Sequence, residues 1–308
     1  MRPIKISVVV PIYNEVELVD DLYARLIKVL QNITSDFEII CVDDGSTDGS
    51  LDRLIDYHKK DNRFKVLILS KNFGHQAAYT AGLKYAKGDF VAMMDGDLQD
   101  PPELLALMYE KLQNASLDVV YGKRIKRDEP IIKKSLINLF HFVYNYIVKL
   151  KEVDNVGNFS IFSRRVSDSM LSLNEKNRYL PGLRSFIGFE QEMFEYQRKD
   201  RLKGTPKMNF NKLLRLALDA VFSFSNLPIK ICLYTGLSGV VLFFFGLSYS
   251  FISKMIGISP TGWSSIILSI YFIGSVQLLF LGILGEYIFR IYVESQNRPL
   301  YFIDRFIE

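Results

Sequence analysis

The chain has little cysteine, histidine or tryptophan, with two, three and one of each among its 308 residues. Cys41 and Cys232 lie far apart in apolar segments, which excludes a disulfide framework and a CxxC metal site. His58 and His141 have no carboxylate or cysteine partner at ligand spacing, so a histidine-based metal centre is not indicated. His75 is interpreted as a loop residue that forms a hydrogen bond, and no histidine is given a catalytic role.

An excess of charge of one sign is also missing. The formal net charge is +4, and no helix combines clustered arginine and lysine with aromatic residues, which argues against a nucleic-acid partner. The first residues, Met1 to Lys5, lead into a short apolar strand and not into the apolar core of a cleavable signal. We therefore expect the N-terminal part of the chain to stay in the cytosol.

Apolar sequence, in contrast, is abundant: hydrophobic residues make up 49% of the chain, and its mean hydropathy is +0.11. No residue from Ile231 to Ser253 is charged, and a second uncharged stretch contains the apolar run Ile266 to Gly285. Each run is long enough to cross a bilayer, which takes about 20 residues, so we predict a hairpin of two transmembrane helices in preference to buried core helices. Basic residues precede the first span and follow the second. The positive-inside rule then predicts a multi-pass integral membrane protein, in the plasma membrane if the chain is bacterial, with its catalytic domain and both termini in the cytoplasm.

The N-terminal third alternates apolar strands with helices, which predicts an α/β fold with a mainly parallel sheet and helices on both faces. Ligands of such sheets bind at the carboxyl ends of the strands. The polar clusters of the sequence all follow strands, at Pro11–Glu15, Asp43–Gly45, Lys71–His75 and Asp95–Asp97. Two later segments, 130–150 and 211–224, have helical apolar stripes that predict amphipathic helices on the membrane surface, with an ordinary packed helix as the alternative for the first.

The segment from Asp95 to Gln99 indicates a site for a divalent cation. Two acids at i and i+2 would point to opposite faces of a strand, but Gly96 allows the chain to turn so that Asp95 and Asp97 converge. Mg²⁺ takes oxygen ligands and is usually held by one or two carboxylates together with the phosphates of a substrate. The segment therefore predicts a metal-bound diphosphate, although Asp also suits an ordinary turn.

Four motifs resemble family 2 glycosyltransferases with the GT-A fold: Val8–Glu15, Val42–Asp48, Asn72–His75 and Asp95–Pro102. The continuation, with Val119–Arg127, Arg201–Lys207 and two C-terminal spans, is similar to the branch that uses polyprenyl phosphates. That branch includes dolichyl-phosphate mannose synthases and bactoprenol glucosyltransferases. The resemblance implies a GT-A core over residues 1–129, an acceptor-side segment with interface helices over 130–226, and two transmembrane helices with a cytoplasmic tail over 227–308.

The resemblance also implies roles for particular residues of this chain. The nucleotide-sugar would be bound by Pro11, Tyr13, Glu15, Asp43, Asp44 and Asp95, with Asp44 at the base. Mg²⁺ or Mn²⁺ would be held by Asp95, Asp97 and Gln99, and the donor diphosphate would be covered by Arg201 and Lys207. The phosphate of the acceptor would be received by Arg124 and Arg127, which together with Asp95 and Asp97 would be the catalytic residues. A solvated surface turn is the alternative for the first arginine pair, and positive-inside charge is the alternative for Arg201 and Lys207.

Family members often carry Asp where this chain has Asn158, and an amide cannot accept a proton. The activity implied is an inverting transfer of a hexose, with UDP-glucose as the preferred donor, to a polyprenyl phosphate at the cytoplasmic face. Membrane lipids are a further expected partner, and assembly with a second copy of the chain stays open. Two alternatives stay open, a processive polysaccharide synthase and a non-catalytic scaffold that binds nucleotide-sugars. The first normally adds a Gln-x-x-Arg-Trp motif, whereas the only tryptophan here is Trp263.

Overall fold

A computed structural model describes residues 4–124, 156–176, 178–197 and 262–308, together with scattered positions between 234 and 256. The chain divides into two units, of which one contains the N-terminal sheet and residues 298–308 and the other contains the C-terminal helix. Both predicted interface helices lie outside the described residues, and only scattered positions of the first predicted span are described. Three candidate site residues also lie outside them, namely Arg127, Arg201 and Lys207.

The first unit contains one eight-stranded sheet. Its strands are β1 (Ile6–Ile12), β2 (Phe37–Asp43), β3 (Phe64–Leu69), β4 (Phe90–Met93), β5 (Val119–Arg124), β6 (Val156–Ser163), β7 (Gln191–Tyr196) and β8 (Ile303–Ile307). Its helices are α1 (Val19–Ile33), α2 (Ser50–Lys60), α3 (His75–Tyr85), α4 (Leu104–Asn114), α5 (Arg164–Ser172) and α6 (Leu180–Phe186). The second unit contains α7 (Trp263–Ser295).

The strand order is β7-β5-β6-β4-β1-β2-β3-β8. The four strands from β4 to β3 are parallel to one another, and β5 is parallel to β7, whereas β6 and β8 run antiparallel to their neighbours. Every residue of β1 and β2 is buried, as expected for central parallel strands that are covered on both faces. The predicted mainly parallel α/β sheet is confirmed.

Helices cover both faces of this sheet. On one face, α1 buries Leu22 and Leu26, which lie one helical turn apart, in a core that also includes Met108 of α4. On the other face, Tyr79 of α3 packs in a second core with Leu183 of α6. The crossover helices thus bury one apolar stripe each, and the polar residues at the strand ends are left at the edge of the sheet.

The last residues of the chain form a strand that the sequence did not predict. β8 pairs antiparallel with β3, with Val66 opposite Ile307, and so forms one edge of the sheet. The terminal Glu308 forms an ion pair with Lys87 at 2.6 Å. A five-residue segment with polar residues between apolar ones gives only a weak strand signal, because its pairing partner lies more than 200 residues earlier in the sequence. The domain boundaries proposed at residues 129 and 226 stay predictions.

In the second unit, α7 is a 33-residue helix. Its segment Phe272–Ser295 has a mean hydropathy of 1.7 and is the one helix, within the described part of the chain, that is long and apolar enough to cross a membrane. This segment overlaps the predicted second span, Ile266 to Gly285. The predicted two-helix hairpin is not established, because the first span lies outside the continuously described ranges.

Candidate active site

The carboxyl ends of β1, β2, β3 and β4 meet at one edge of the sheet, because these four strands are adjacent and parallel. This edge, with the loops that follow the four strands and with the end of β5, which runs in the same direction, is called the rim below. It brings together the four polar clusters that the sequence contains after these strands. Such an edge is where parallel sheets bind their ligands.

Asp95 follows β4 at the rim and is held by two side chains of α3. His75 Nε2 lies 3.0 Å from Asp95 Oδ1, and the Tyr79 hydroxyl donates a hydrogen bond of 2.7 Å to the same oxygen. Burial alone would raise the pKa of Asp95, but hydrogen bonds and the charge of His75 outweigh it and lower this pKa to about 2. Asp95 is therefore a carboxylate at neutral pH. His75 thus has a place in the site that its interpretation as a loop residue did not include.

The rest of the acidic segment forms a tight turn. The Gln99 backbone N–H donates to Asp97 Oδ1 at 3.1 Å, and Leu98 between them has a left-handed backbone with φ of +55°. Among the described residues, no group of three or more His, Cys, Asp or Glu side chains is arranged to hold a metal by itself. Two carboxylates do fit Mg²⁺ or Mn²⁺ when substrate phosphates supply further oxygen ligands. Both side-chain contacts of Asp95 use Oδ1, so its other oxygen, Oδ2, suits such a ligand role.

The two acids after β2 differ in their contacts. Asp44 accepts hydrogen bonds from the backbone N–H groups of Phe73 and Gly74, at 2.7 and 2.9 Å, with one carboxylate oxygen each. Asp43 accepts a hydrogen bond from Ser46 N with Oδ2, whereas its buried Oδ1 has no hydrogen-bond partner within the described part of the chain. Burial raises the pKa of both carboxyl groups. Asp44 thus holds the loop that leads into α3, and the carboxylate with an unmatched acceptor is that of Asp43.

The loop after β1 is fixed against the loop after β2. Asn14 N donates to Ser46 Oγ at 3.1 Å, and Asn14 Oδ1 accepts the Thr47 N–H at 2.8 Å. The backbone of Asn14 is left-handed, with φ of +54°, a conformation that asparagine tolerates better than most residues. Pro11 is buried in β1, whereas the Tyr13 side chain is 40% exposed at the rim. An exposed aromatic ring at this position suits stacking with a planar base.

Gly45, in the loop after β2, lies against the backbone of the loop after β3 and leaves no room for a side chain. Its φ is +73°, and a Cβ atom would lie 2.7 Å from Asn72 N and 2.8 Å from Lys71 C. Gly49 also has a left-handed backbone, with φ of +88°, but has nothing within 4 Å of its Cβ position.

We expect Gly45→Ala to reduce the free energy of unfolding by about 1–3 kcal/mol more than Gly49→Ala, because only the former adds steric overlap with backbone. Thermal unfolding of both purified variants checks this, and equal losses would contradict the crowding at Gly45.

Arg124, at the end of β5, lies in a cluster that the sequence did not reveal. Its Nη2 lies 3.2 Å from Asp100 Oδ2, and the Tyr196 hydroxyl donates to Asp100 Oδ1 at 2.5 Å. Arg124 Nε also donates to the Tyr196 hydroxyl at 3.3 Å. Burial alone would lower the pKa of Arg124, but Asp100 and Tyr196 raise it overall, so the guanidinium stays charged. A Cβ atom on Gly157 would lie 2.7 Å from Arg124 Nη2, so glycine leaves the space that the guanidinium occupies.

Asn158, next to this glycine on β6, is buried, and its side-chain oxygen has no hydrogen-bond partner among the described residues. The rim therefore combines acidic residues with a charged arginine near Asp95, whose charge contributes to the low pKa of that residue. The mixed α/β sheet itself is GT-A-like.

Comparison with known proteins identifies the family to which the chain belongs. The chain belongs to glycosyl transferase family 2, whose family model matches residues 7–171, and it is a glycosyltransferase. It is 38% identical over 305 residues to a glycosyltransferase of Synechocystis sp., covering 97% of this chain and 95% of that protein. It is 36% identical to the bactoprenol glucosyl transferase of Shigella phage SfV, covering 97% and 98%. The structure of Mycobacterium tuberculosis glucosyl-3-phosphoglycerate synthase shares the fold, with a TM-score of 0.50, 17% identity and coverage of 72% and 80%.

Proposed function

We propose that the enzyme transfers a hexose, by preference glucose from UDP-glucose, to a polyprenyl phosphate with inversion at the anomeric carbon. The observation that carries the proposal is the combination at the rim of ionised Asp95, adjacent Asp97 and charged Arg124. Such a site suits a donor diphosphate and an acceptor phosphate at the same time. The name of the Shigella phage relative, which aligns over nearly its whole length, supports bactoprenol phosphate as the acceptor class.

The nucleotide would bind to the loops after β1 and β2. Asp43 Oδ1 is a buried acceptor, so it suits an N–H donor on the edge of the base, and we assign it the base contact that the resemblance implied for Asp44. The ring of Tyr13 would stack on the base. Glu15 is tied in place by its backbone N–H, which donates to Ser50 Oγ at 3.0 Å. These residues bind the leaving group and so orient the sugar.

Asp95 and Asp97 would hold Mg²⁺ or Mn²⁺, with Gln99 beside them. The cation, when bound, stabilises the negative charge that collects on the diphosphate as it leaves. His75 and Tyr79 keep Asp95 ionised and oriented by their hydrogen bonds to Oδ1. Arg201 and Lys207, which lie outside the described residues, would contribute further positive charge at the diphosphate.

The acceptor phosphate would approach Arg124, and Arg127 stays proposed as a second contact. A phosphate oxygen forms a bond to the anomeric carbon, the bond from that carbon to the diphosphate oxygen breaks, and the nucleoside diphosphate leaves with the electron pair. A phosphate monoester is largely ionised at neutral pH, because its second pKa is about 6, so the nucleophile needs no general base. This agrees with the amide of Asn158, which cannot accept a proton.

A long-chain lipid acceptor requires the rim to work at a membrane. The apolar segment Phe272–Ser295 supports membrane anchoring. We propose two spans and a cytoplasmic active site, from the distribution of basic residues around the uncharged runs.

A panel of radiolabelled nucleotide-sugars, each incubated with undecaprenyl or dolichyl phosphate, tests the activity. We expect label in the organic phase, most from UDP-glucose, and only with Mg²⁺ or Mn²⁺. In sealed membrane vesicles, added UDP-glucose should be used by inside-out vesicles and not by right-side-out ones. Donor binding without transfer would indicate a scaffold, label in a polymer would indicate a processive synthase, and use by right-side-out vesicles would contradict the orientation.

A further inference from the structure

Besides Asp43, two buried side chains near the rim carry polar atoms that have no hydrogen-bond partner among the described residues. These atoms are Asn158 Oδ1 and Arg184 Nε and Nη1. Asn158 is 8% exposed and Arg184 is 2% exposed. Leaving a buried donor or acceptor unpaired is costly, and more so for a charged group. Because most buried polar groups in native proteins are satisfied, each exception needs a reason.

Arg184 lies on α6, and packing alone does not account for it. Its guanidinium is 4.9 Å from the centre of the Tyr121 ring, and no ion pair to a carboxylate is present among the described residues. Burial lowers the pKa of Arg184 to about 10, so the side chain is still a cation at neutral pH. A hydrophobic side chain of similar volume would fill the same space without a desolvated charge.

Asn158 lies beside the acidic segment through its neighbour in β6. Gly157, which precedes Asn158, lies against Arg124, because a Cβ atom on this glycine would be 2.7 Å from Arg124 Nη2. The same Nη2 atom is 3.2 Å from Asp100 Oδ2, and Asp100 follows Gln99 directly in the sequence. The unmatched amide oxygen therefore belongs to a residue that borders the acidic segment.

Arg184 is placed in the same region by two links. Tyr121, on which its guanidinium lies, pairs directly with Ser160 of β6, two residues from Asn158. The start of α6 is attached to α3, because Leu180 N donates to the Gln76 side-chain oxygen at 3.1 Å. Gln76 follows His75, the residue that contacts Asp95. β6 and α6, which carry Asn158 and Arg184, are thus both attached to elements of the rim.

We propose that Asn158 and Arg184 bind oxygen atoms of the sugar that the enzyme transfers, an inference that rests on the function proposed above. The amide oxygen accepts a hydrogen bond from a sugar hydroxyl, and the two guanidinium N–H groups donate to sugar oxygens. A hexose offers both kinds of group. Hydrogen bonds from a charged donor are about twice as strong as neutral ones, so Arg184 contributes more than Asn158.

The variants Asn158→Leu and Arg184→Met remove hydrogen bonding and keep similar volumes. Isothermal titration calorimetry with Mg²⁺ measures the binding of UDP-glucose and of UDP, which lacks the sugar. We expect Arg184→Met to weaken UDP-glucose by about tenfold or more and Asn158→Leu by less, while UDP binds with an unchanged constant. Arg184→Met should also keep or raise the melting temperature, because it removes a buried charge.

Arg53→Met serves as the matched control, because Arg53 lies on α2 with its side chain 46% exposed and pairs with Asp20. This change should leave both binding constants unaltered. Equal weakening of UDP and UDP-glucose, or no weakening of either, would overturn the inference, as would a lower melting temperature with unaltered preference for UDP-glucose. Lack of transfer by the wild type would instead reject the proposed function, since the binding comparison does not depend on turnover.

Discussion

Replacing Asp97 with asparagine is expected to reduce transfer by about 100- to 1,000-fold, the range seen when one group that stabilises transition-state charge is lost. Asparagine keeps the size of the side chain and an oxygen that can still accept the Gln99 N–H, which now bonds Asp97 Oδ1 at 3.1 Å. It removes the negative charge that would hold the cation against the donor diphosphate. The melting temperature should therefore stay within a few degrees of the wild type, while kcat falls.

The control for this change is Asp52→Asn, which removes a carboxylate from an exposed position of α2. Its rate should equal that of the wild type. Raising the Mn²⁺ concentration should recover part of the rate of Asp97→Asn if the loss lies in cation affinity. Normal transfer by pure, folded Asp97→Asn protein would refute the role given to Asp97.

Replacing Arg124 with an uncharged residue is expected to have the second largest effect, which is an increase in the Michaelis constant for the acceptor. Loss of a charged hydrogen bond to phosphate corresponds to about 1.5–3 kcal/mol, or roughly 10- to 150-fold in the Michaelis constant for polyprenyl phosphate. The constant for the nucleotide-sugar should change by less than about threefold, because Arg124 is not assigned to the donor. Equal changes in both constants would count against phosphate capture by Arg124.

The choice of substitution matters because Arg124 neutralises Asp100, whose side chain is fully buried. Removing one partner of a buried pair leaves an uncompensated charge and costs up to about 3–5 kcal/mol, and less here because 27% of the Arg124 side chain is exposed. Arg124→Ala alone would mix this instability with the kinetic effect. The double variant Asp100→Asn/Arg124→Gln removes both charges. It should fold normally and have a raised Michaelis constant for polyprenyl phosphate. Lys123→Ala, which removes a neighbouring positive charge, should leave the acceptor constant close to that of the wild type.

The sheet and the rim were predictable because their signals are local. β1 and β2 are largely apolar runs, and polar loop residues follow directly after them in the sequence. Parallel topology then places these strand ends together without any further information. The family motifs lie in the same segments, so the resemblance to glycosyltransferases rests on the same residues that predicted a metal-bound diphosphate.

The contacts within the rim were not predictable, because they join residues that are far apart in sequence. Tyr196 reaches Asp100 across 96 positions, and Arg124 reaches Asp100 across 24. Asp100 lies in the motif Asp95–Pro102 but was given no role there, and Tyr196 lies in no motif. His75 and Tyr79 did carry a usable signal, since a spacing of four places both on one face of a helix that begins at the rim. Asp43 and Asp44 are adjacent, and only the backbone N–H groups of Phe73 and Gly74 distinguish their roles.

Binding of Mn²⁺ followed by electron paramagnetic resonance, with and without UDP, tests the central claim most directly. That claim is that Asp95 and Asp97 hold a divalent cation together with the donor diphosphate. Two protein carboxylates alone make a weak site, so Mn²⁺ should bind weakly to the protein by itself and much more tightly when UDP is present. Mn²⁺ binding of equal strength with and without UDP, or no binding in the presence of UDP, would contradict the account.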